Sequence, residues 1–256
     1  MRITILGRGA YGVALGNILE ENKNTVIYYD IKDDTPLEDA LQDAEAILMA
    51  VPSEAVPALL PKLPHHLPLV VATKGILDIA TFADFADLTI LSGAGFATDL
   101  STKKPTVLTI TNILVSTWFL QDWLEFQITD DIAGVLMCGA LKNVYAMEAG
   151  RLGLKRDTLE WAEFLGKTLH EMREILAIND ADPNTVNLSC GKADLELTCG
   201  LPSRNYEFGT LIAQNPNYHP QNTIEGLTTL QKLKNGAIVI PKNADILIKI
   251  MEEKWD

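Results

Sequence analysis

The sequence contains little cysteine, few basic residues and no long apolar run, and each shortage excludes a class of protein. Three cysteines occur among 256 residues without a CxxC pair, and the four histidines show no HExxH spacing, so neither a disulfide scaffold nor a metal site is expected. Lysine and arginine number 21 against 34 aspartates and glutamates, which argues against a nucleic-acid partner. The apolar runs are too short for a membrane span or a signal peptide. We therefore expect a soluble cytoplasmic protein.

The first half of the chain contains short β-branched runs that alternate with helical stretches. Helical spacing is clear over residues 13–19, and one short helix fits at 36–44. The predicted strands lie at 3–6, 25–29, 46–51, 69–72, 88–91 and 106–110. Strands that alternate with helices predict an α/β fold with a doubly wound, Rossmann-type parallel sheet and right-handed crossovers.

The pattern changes near residue 130, where strand signals stop and helical signals continue. The stretch 132–149 is apolar on nearly every face, and further helices are predicted at 157–178, 222–233 and 244–254. We therefore predict two domains, an α/β domain over residues 1–129 and an all-α domain over 130–256, with a cleft between them. The apolar 132–149 helix and four tryptophans leave room for a homodimer.

A glycine-rich loop joins the first predicted strand to its helix. In its GxGxxG spacing, Gly7 allows the tight turn, Gly9 lets backbone approach a pyrophosphate and Gly12 permits close helix packing. Asp30 ends the second strand, where a carboxylate bonds the ribose hydroxyls of an adenosine. The pattern predicts a dinucleotide cofactor and favours NAD over NADP, a preference that nearby Lys32 weakens. The alternatives are glycines that serve only a turn and an aspartate that caps a loop.

Two lysines occupy positions that a ligand explains better than stability does. Lys74 follows the fourth predicted strand, at the edge of the sheet where ligands bind. Lys142 lies within the apolar 132–149 helix, and its helical neighbours include no carboxylate. A lysine buried there requires an anion or a partner, as a proton donor to a carbonyl under reduction would have. The alternative is a side chain whose ammonium reaches water along its apolar stem.

Three consecutive donors suit a clamp for a phosphate monoester: Ser203, Arg204 and Asn205. They follow a turn marked by Pro202. Taken alone, the triplet also fits a helix cap with a solvated arginine. In the same way, the segment 222–225 fits a capping box that would give its glutamate a structural role.

Taken in order, these motifs resemble the bacterial-type NAD(P)-dependent glycerol-3-phosphate dehydrogenases. The resemblance spans nearly the whole chain, and its most specific segments are Gly-Ala-Leu-Lys-Asn at 139–143 and the Asp-Leu, Leu-Thr-Cys and Ser-Arg-Asn motifs within 194–205. It implies a dinucleotide-binding first domain and a helical domain for substrate and catalysis. The implied reaction is reversible reduction of dihydroxyacetone phosphate to sn-glycerol 3-phosphate with NAD or NADP, which supplies glycerol phosphate for phospholipid synthesis.

The resemblance also implies roles for individual residues. Lys142 matches the proton donor and acceptor, and Lys74 and Asp194 complete the catalytic set. The positions assigned to substrate binding are Lys74, Gly93, Gly95, Lys142, Asn143, Asp194, Ser203, Arg204 and Asn205. The positions assigned to the dinucleotide are Gly7, Gly9, Ala10, Tyr11, Gly12, Asp30, Lys74, Ala97, Arg204 and Glu225.

Three departures from the family pattern concern the substrate more than the fold. Gly95 stands where a serine or threonine is usual, and Lys192 and Ala193 precede Asp194 where the family has a glycine immediately before the aspartate. The chain is also shorter than is usual, with room for one short helix between residues 30 and 46. Two alternatives stay open: a related dehydrogenase for another small hydroxy acid, and a dinucleotide sensor without turnover.

Overall fold

The computed structural model describes residues 1–200 and 203–255, and these residues form two compact units. The first unit contains Met1–Thr73 and Asp78–Ile132, and the second contains Lys74–Leu77 and the chain from Ala133 onwards. The division between residues 129 and 130 stays a prediction. No sequence signal indicated that a four-residue segment of the first half, Lys74–Leu77, belongs to the second unit.

The first unit is built on a sheet that contains seven strands among the described residues, in the order β2-β1-β3-β4-β5-β6-β7. All neighbouring strands pair in parallel except β5 and β6. The strands are β1 Arg2–Leu6, β2 Thr25–Tyr29, β3 Ala46–Met49, β4 Leu69–Val71, β5 Leu88–Ala94, β6 Thr106–Ile110 and β7 Leu124–Ile128. The predicted α/β, Rossmann-type class is therefore confirmed.

The sheet departs from the prediction at two strands. Strand β6 is antiparallel to β5, because the connection from Ala94 to Thr106 is too short for the crossover of a dozen or more residues that a parallel neighbour requires. Strand β7 was missed, since it lies at the edge of the sheet with Glu125 and Gln127 exposed, and its apolar signal is correspondingly weak.

The helices of the first unit are short apart from the one that follows the glycine-rich loop. They are α1 Ala10–Glu21, α2 Leu37–Leu41, α3 Val56–Leu59, α4 Ala97–Ser101 and α5 Ile113–Ser116. Leu15 and Leu19 of α1 pack on Ile3 and Ile5 of β1 in the main apolar cluster of this unit. Helix α2 is the one short helix predicted between residues 30 and 46.

Among its described residues, the second unit contains helices and the loops that connect them, and no strand. Its helices are α6 Ile132–Arg151, α7 Leu159–Ile178, α8 Asp194–Gly200, α9 Arg204–Gln214, α10 Glu225–Lys234 and α11 Asp245–Glu252. Helix α6 is apolar on nearly every face because every residue from Gly134 to Gly150 is buried. Helices α8 and α9 were missed: no helix was predicted from the sequence between residues 178 and 222, and Pro202, which lies outside the described residues, was interpreted as the mark of a turn. Within the described chain, no helix combines the length and hydropathy that crossing a bilayer requires.

Glycines let α9 approach α6 closely. A Cβ atom at Gly150 would collide with the carbonyl oxygen of Tyr206, and one at Gly209 would collide with that of Met147. The two helices therefore touch through backbone, an approach that larger side chains would prevent. This contact places the first turn of α9 beside the last turn of α6.

A buried hydrogen-bond network holds α6 to α7 and α11. The Tyr145 hydroxyl donates to Glu171 Oε2 at 3.0 Å, and the Glu171 carboxylate accepts the backbone N–H groups of Ile246 at 2.7 Å and Leu247 at 3.1 Å. Burial raises the pKa of Glu171 and of Tyr145. Because Tyr145 lies about one turn beyond Lys142 on α6, the network fixes the rotation of the helix that carries that lysine.

Candidate active site

Lys142 is buried in the middle of α6, with 5% of its side chain exposed. Its Nζ donates to Asp194 Oδ1 at 2.6 Å and to Thr198 Oγ1 at 3.1 Å. The alternative of an ammonium that reaches water is therefore wrong. The carboxylate that the helical neighbours of Lys142 do not supply comes instead from the first residue of α8.

Asp194 lies between two ammonium groups. Its Oδ2 accepts a hydrogen bond from Lys74 Nζ at 3.0 Å, while its Oδ1 is bound to Lys142. Its side chain is 1% exposed and that of Lys74 is 19% exposed. Two cations that share one carboxylate leave a net positive charge, which favours an anionic ligand.

These surroundings set the protonation of Lys142. The pKa of Lys142 is lowered to about 8, chiefly by burial and also by the nearby charge of Lys74, while Asp194 opposes both effects. An amine with a pKa close to physiological pH can both donate and accept a proton during turnover. Lys142 is therefore a candidate general acid and base, and this role stays a prediction.

Thr198 was missed as a site residue. Its Oγ1 accepts the hydrogen bond from Lys142 and donates to the backbone carbonyl of Asp194 at 2.5 Å. A spacing of four residues places Thr198 and Asp194 on one face of α8, but the sequence pattern predicted no helix here. Thr198 thus gives the ammonium a second acceptor and limits its orientation.

Asn143 and Asn205 hydrogen-bond to each other. Asn205 Nδ2 donates to Asn143 Oδ1 at 2.8 Å, and Asn205 Oδ1 accepts the backbone N–H of Gly226 at 2.9 Å. Asn143 Nδ2 donates to the carbonyl of Lys74 at 3.3 Å. The two amides therefore connect α6, α9 and α10 to the segment that carries Lys74, and their contact with substrate stays a prediction.

The structure places Ser203 and Arg204 at the start of α9. Ser203 Oγ accepts the backbone N–H of Tyr206 at 3.2 Å and donates to the carbonyl of Thr198 at 3.1 Å. Ser203 is thus the helix cap that the alternative interpretation described, and Arg204 is exposed. Binding of a phosphate by these residues stays a prediction. The exposed Arg204 side chain is accessible to such a ligand.

The expected capping box before Glu225 does not form. Helix α10 begins at Glu225 itself, so Ile224 is the N-cap residue and no side chain caps it. Asn222 and Thr223 precede the cap and are exposed. Glu225 is half-buried in the first turn, and its assignment to the dinucleotide stays a prediction.

The glycine-rich loop has the conformation that its spacing predicts. Gly7 has φ +100°, and a Cβ at Gly12 would collide with the Gly7 carbonyl, so both positions require glycine. A Cβ at Gly9 would meet no atom within 4 Å, which leaves the backbone open to a ligand. Helix α1 begins at the exposed Ala10, followed by the half-buried Tyr11. This open turn at a helix N-terminus fits the pyrophosphate of a dinucleotide.

Asp30 presents its carboxylate next to this loop. Its Oδ2 accepts the backbone N–H of Arg8 at 2.9 Å and its Oδ1 that of Lys32 at 3.0 Å. The hydrogen bond from Arg8 is the main cause of a lowered Asp30 pKa, so the group is ionised at neutral pH. The Arg8 guanidinium lies 3.5 Å from Asp33. The edge of the sheet thus offers an ionised carboxylate for a ribose.

The remaining predicted positions lie around the end of β5. Gly93 is within the strand with φ +136°, Gly95 follows it, and Ala97 begins α4. A Cβ at Gly95 would lie 3.1 Å from Thr106 Cγ2, so a side chain would require a small shift there. All three residues belong to the first unit, whereas Lys74, Lys142 and Asp194 belong to the second.

The fold and these residues define a dinucleotide-dependent dehydrogenase. The family model for the NAD-dependent glycerol-3-phosphate dehydrogenase N-terminus matches residues 23–113, and that for the C-terminus matches residues 131–252. The chain therefore belongs to the NAD-dependent glycerol-3-phosphate dehydrogenase family.

Individual relatives agree with this assignment. A glycerol-3-phosphate dehydrogenase of Campylobacter jejuni (strain 81116) is 32% identical over 84% of this chain and 80% of its own length. A relative with the same activity in its name, from Ruegeria sp. (strain TM1040), is 29% identical over 90% of this chain and 86% of its own. The crystal structure of glycerol-3-phosphate dehydrogenase from Coxiella burnetii has a TM-score of 0.81 at 22% identity, over 98% of this chain and 94% of that one, which shows that the fold is shared.

Replacing Asp194 with alanine tests its role between the lysines. Removing the carboxylate leaves two ammonium groups without their shared partner, and we expect the free energy of unfolding to fall by about 3 kcal/mol. The measurement is urea unfolding at pH 7. Lys192→Met is the matched control, because Lys192 is exposed and lies 3.9 Å from Glu196, so a change below about 1 kcal/mol is expected. Equal losses in the two variants would contradict the assigned role.

Proposed function

We propose that this protein interconverts dihydroxyacetone phosphate and sn-glycerol 3-phosphate with a nicotinamide dinucleotide and so supplies glycerol phosphate for phospholipid synthesis. The observation that carries the proposal is the buried Lys142, bound to Asp194 and with a pKa of about 8. The family to which the chain belongs, and the activity in the names of its relatives, support the same reaction.

The proposed mechanism assigns the proton to Lys142. A dinucleotide held by the glycine-rich loop and Asp30 would supply a hydride to the substrate carbon. Lys142 gives its proton to the substrate oxygen as negative charge develops there. Asp194 and Thr198 hold the ammonium in one orientation before the transfer. Lys74 adds positive charge that favours the phosphorylated substrate, and we assign phosphate contacts to Arg204 and Asn205. Binding of that remote phosphate helps to position the reacting carbon.

Two other functions make different predictions. A sensor without turnover gives no reason for a buried lysine with a depressed pKa, since desolvating that charge is unfavourable. The sensor is favoured only by Gly95, which brings no hydroxyl to its position, and by the shortened chain. A dehydrogenase for another hydroxy acid is disfavoured by the triplet Ser203, Arg204 and Asn205, which suits a phosphorylated substrate. Oxidation of NADH in the presence of dihydroxyacetone phosphate, compared with a panel of unphosphorylated ketones, distinguishes the three.

Replacing Lys142 with alanine is expected to lower kcat for the reduction of dihydroxyacetone phosphate by at least ~10²-fold, the usual scale of general acid–base catalysis. In the unmodified protein, reduction should decline above a pH of about 8, because only the protonated amine donates. Oxidation of glycerol 3-phosphate should rise over the same interval. Absorbance of the reduced nicotinamide measures both directions.

Asp194→Asn is the companion variant for this profile. Asp194 raises the pKa of Lys142, so its neutralisation should move the alkaline limit of ketone reduction to lower pH. Lys167→Ala, which changes an exposed lysine of α7, serves as the control and should leave the profile unchanged. Near-normal turnover by the Lys142→Ala variant would remove the lysine from its assigned role.

We further propose that NAD is preferred over NADP. The ionised Asp30 fits two ribose hydroxyls and repels a 2′-phosphate. Asp30→Ser should raise the ratio of NADPH to NADH affinity by about tenfold, because juxtaposed like charges disfavour binding. Fluorescence titration of each nucleotide measures this directly, with the exposed Asp34→Ser as the control. An unchanged ratio would show that another residue sets the preference.

The proposal also includes a homodimer in the cytoplasm. The apolar helix α6 does not support dimerisation, because it is buried within one chain. Support comes instead from Ile113 and Leu114, which are 62% and 73% exposed on α5. Cys138, Cys190 and Cys199 are buried and reduced, as is usual in a reducing compartment. Sedimentation equilibrium should give twice the mass of the chain, and Leu114→Glu should shift the protein towards monomer.

A further inference from the structure

The segment Lys74–Leu77 is held in the second unit by hydrogen bonds at both its ends. Near its start, Lys74 Nζ binds Asp194 and the Lys74 carbonyl accepts from Asn143. Two residues later, the carbonyl of Ile76 accepts a hydrogen bond of 2.8 Å from Lys232 Nζ. Ile76 is buried and 7% exposed. The position of Lys74 thus depends on contacts made on either side of Gly75.

Helix α10 contacts the segment 74–77 directly at Ile76 and is linked to the Lys74 carbonyl through two asparagines. At its first turn the backbone N–H of Gly226 binds Asn205, which in turn binds Asn143 and so reaches the Lys74 carbonyl. Nearly two turns further along the same helix, Lys232 binds the Ile76 carbonyl directly. The segment is therefore held at Lys74 by Asn143 of α6 and at Ile76 by Lys232 of α10, and the amide of Asn205 links these two helices.

We propose that Lys232 is a positioning residue that holds the backbone of Lys74–Leu77 so that the Lys74 ammonium stays against Asp194. The inference rests on the proposed function, in which Lys74 favours the phosphorylated substrate. Lys232 donates to backbone, and we assign it no contact with substrate. Its action is indirect, through the lysine two residues before Ile76.

The physical basis is the conformational freedom of the segment. Glycine has more accessible backbone conformations than any other residue type. Because Gly75 follows Lys74, a segment fixed only at Lys74 would retain much of its mobility. A hydrogen bond from a charged donor removes that freedom at Ile76 and is stronger than one between neutral groups. Without this hydrogen bond, pairing of Lys74 with Asp194 would have to offset the whole entropy cost of ordering the segment.

Lys232→Met tests the proposal, since methionine keeps most of the apolar stem and removes the donor. We expect KM for dihydroxyacetone phosphate to rise about tenfold, the scale of one lost hydrogen bond. We expect kcat at pH 7 to change less than about twofold, because Lys142 stays in place. Lys232→Arg should restore most of the affinity, as arginine keeps a charged donor.

The pH dependence of ketone reduction is a second measurement, and it would not change if Lys232 served only the stability of the fold. The charged and thiol groups around Lys142 are Asp194, Lys74 and Cys199, and the charge of Lys74 lowers the pKa of Lys142. A Lys74 that leaves Asp194 removes this effect and frees the carboxylate for Lys142. In Lys232→Met the alkaline limit of ketone reduction should therefore move to higher pH.

Lys234→Met is the matched control, because Lys234 lies on the same helix and is exposed. It should change neither KM nor the pH profile, and the thermal midpoint of both variants should stay near that of the unmodified protein. An unaltered KM and pH limit in Lys232→Met would overturn the inference, as would equal effects in both variants. If Lys232→Met fails to fold and Lys232→Arg folds, Lys232→Gln replaces Lys232→Met. KM and the pH limit are then compared between Lys232→Arg and Lys232→Gln.

Hydrogen exchange separates failure of this inference from failure of the proposed function. If the unmodified protein reduces no dihydroxyacetone phosphate, the proposed function fails. Exchange in a peptide that covers residues 74–77 then decides the inference, with faster exchange expected in Lys232→Met and an unchanged rate in Lys234→Met. Equal exchange in the two variants would show that Lys232 does not hold the segment.

Discussion

The carboxylate of Asp194 is the contact on which the candidate catalytic centre depends. Each of its oxygens binds a different ammonium, from Lys142 on α6 and from Lys74 on a segment far away in the sequence. Burial disfavours both charges, and the shared carboxylate offsets part of that penalty. The result is a lysine that keeps its proton at neutral pH but holds it weakly enough to release it.

Much of the first unit could be predicted because its signals are local. Six of its strands are short β-branched runs, and the GxGxxG spacing and the ionised Asp30 lie where such a loop and strand end place them. The errors occurred where local signals are weak or where chain length decides. Strand β7 lies exposed at an edge, and β6 is antiparallel because its connection to β5 is short.

The second unit was less predictable because its site depends on contacts between distant residues. The sequence indicated that Lys142 needs a partner, and the resemblance to a family suggested Asp194, but no pattern indicated that Thr198 completes its hydrogen bonds. Ser203 was expected either to bind phosphate or to cap a helix, and its hydroxyl caps α9. The amide pair of Asn143 and Asn205 could not be predicted either, since side-chain hydrogen bonds depend on how helices pack.

The hydrogen bonds that hold the segment 74–77 have a consequence for the order in which the chain can fold on the ribosome. Lys74 and Asp194 are 120 residues apart, and Ile76 and Lys232 are 156 apart. Translation adds roughly 5–20 residues per second, so the nascent chain exposes the Lys74 ammonium for several seconds before its carboxylate exists. The last three strands of the sheet, β5 to β7, are synthesised during that interval. The segment 74–77 can therefore reach its hydrogen-bond partners only after α8 and α10 have been synthesised, and slow synthesis there would delay the appearance of activity rather than the folding of the sheet.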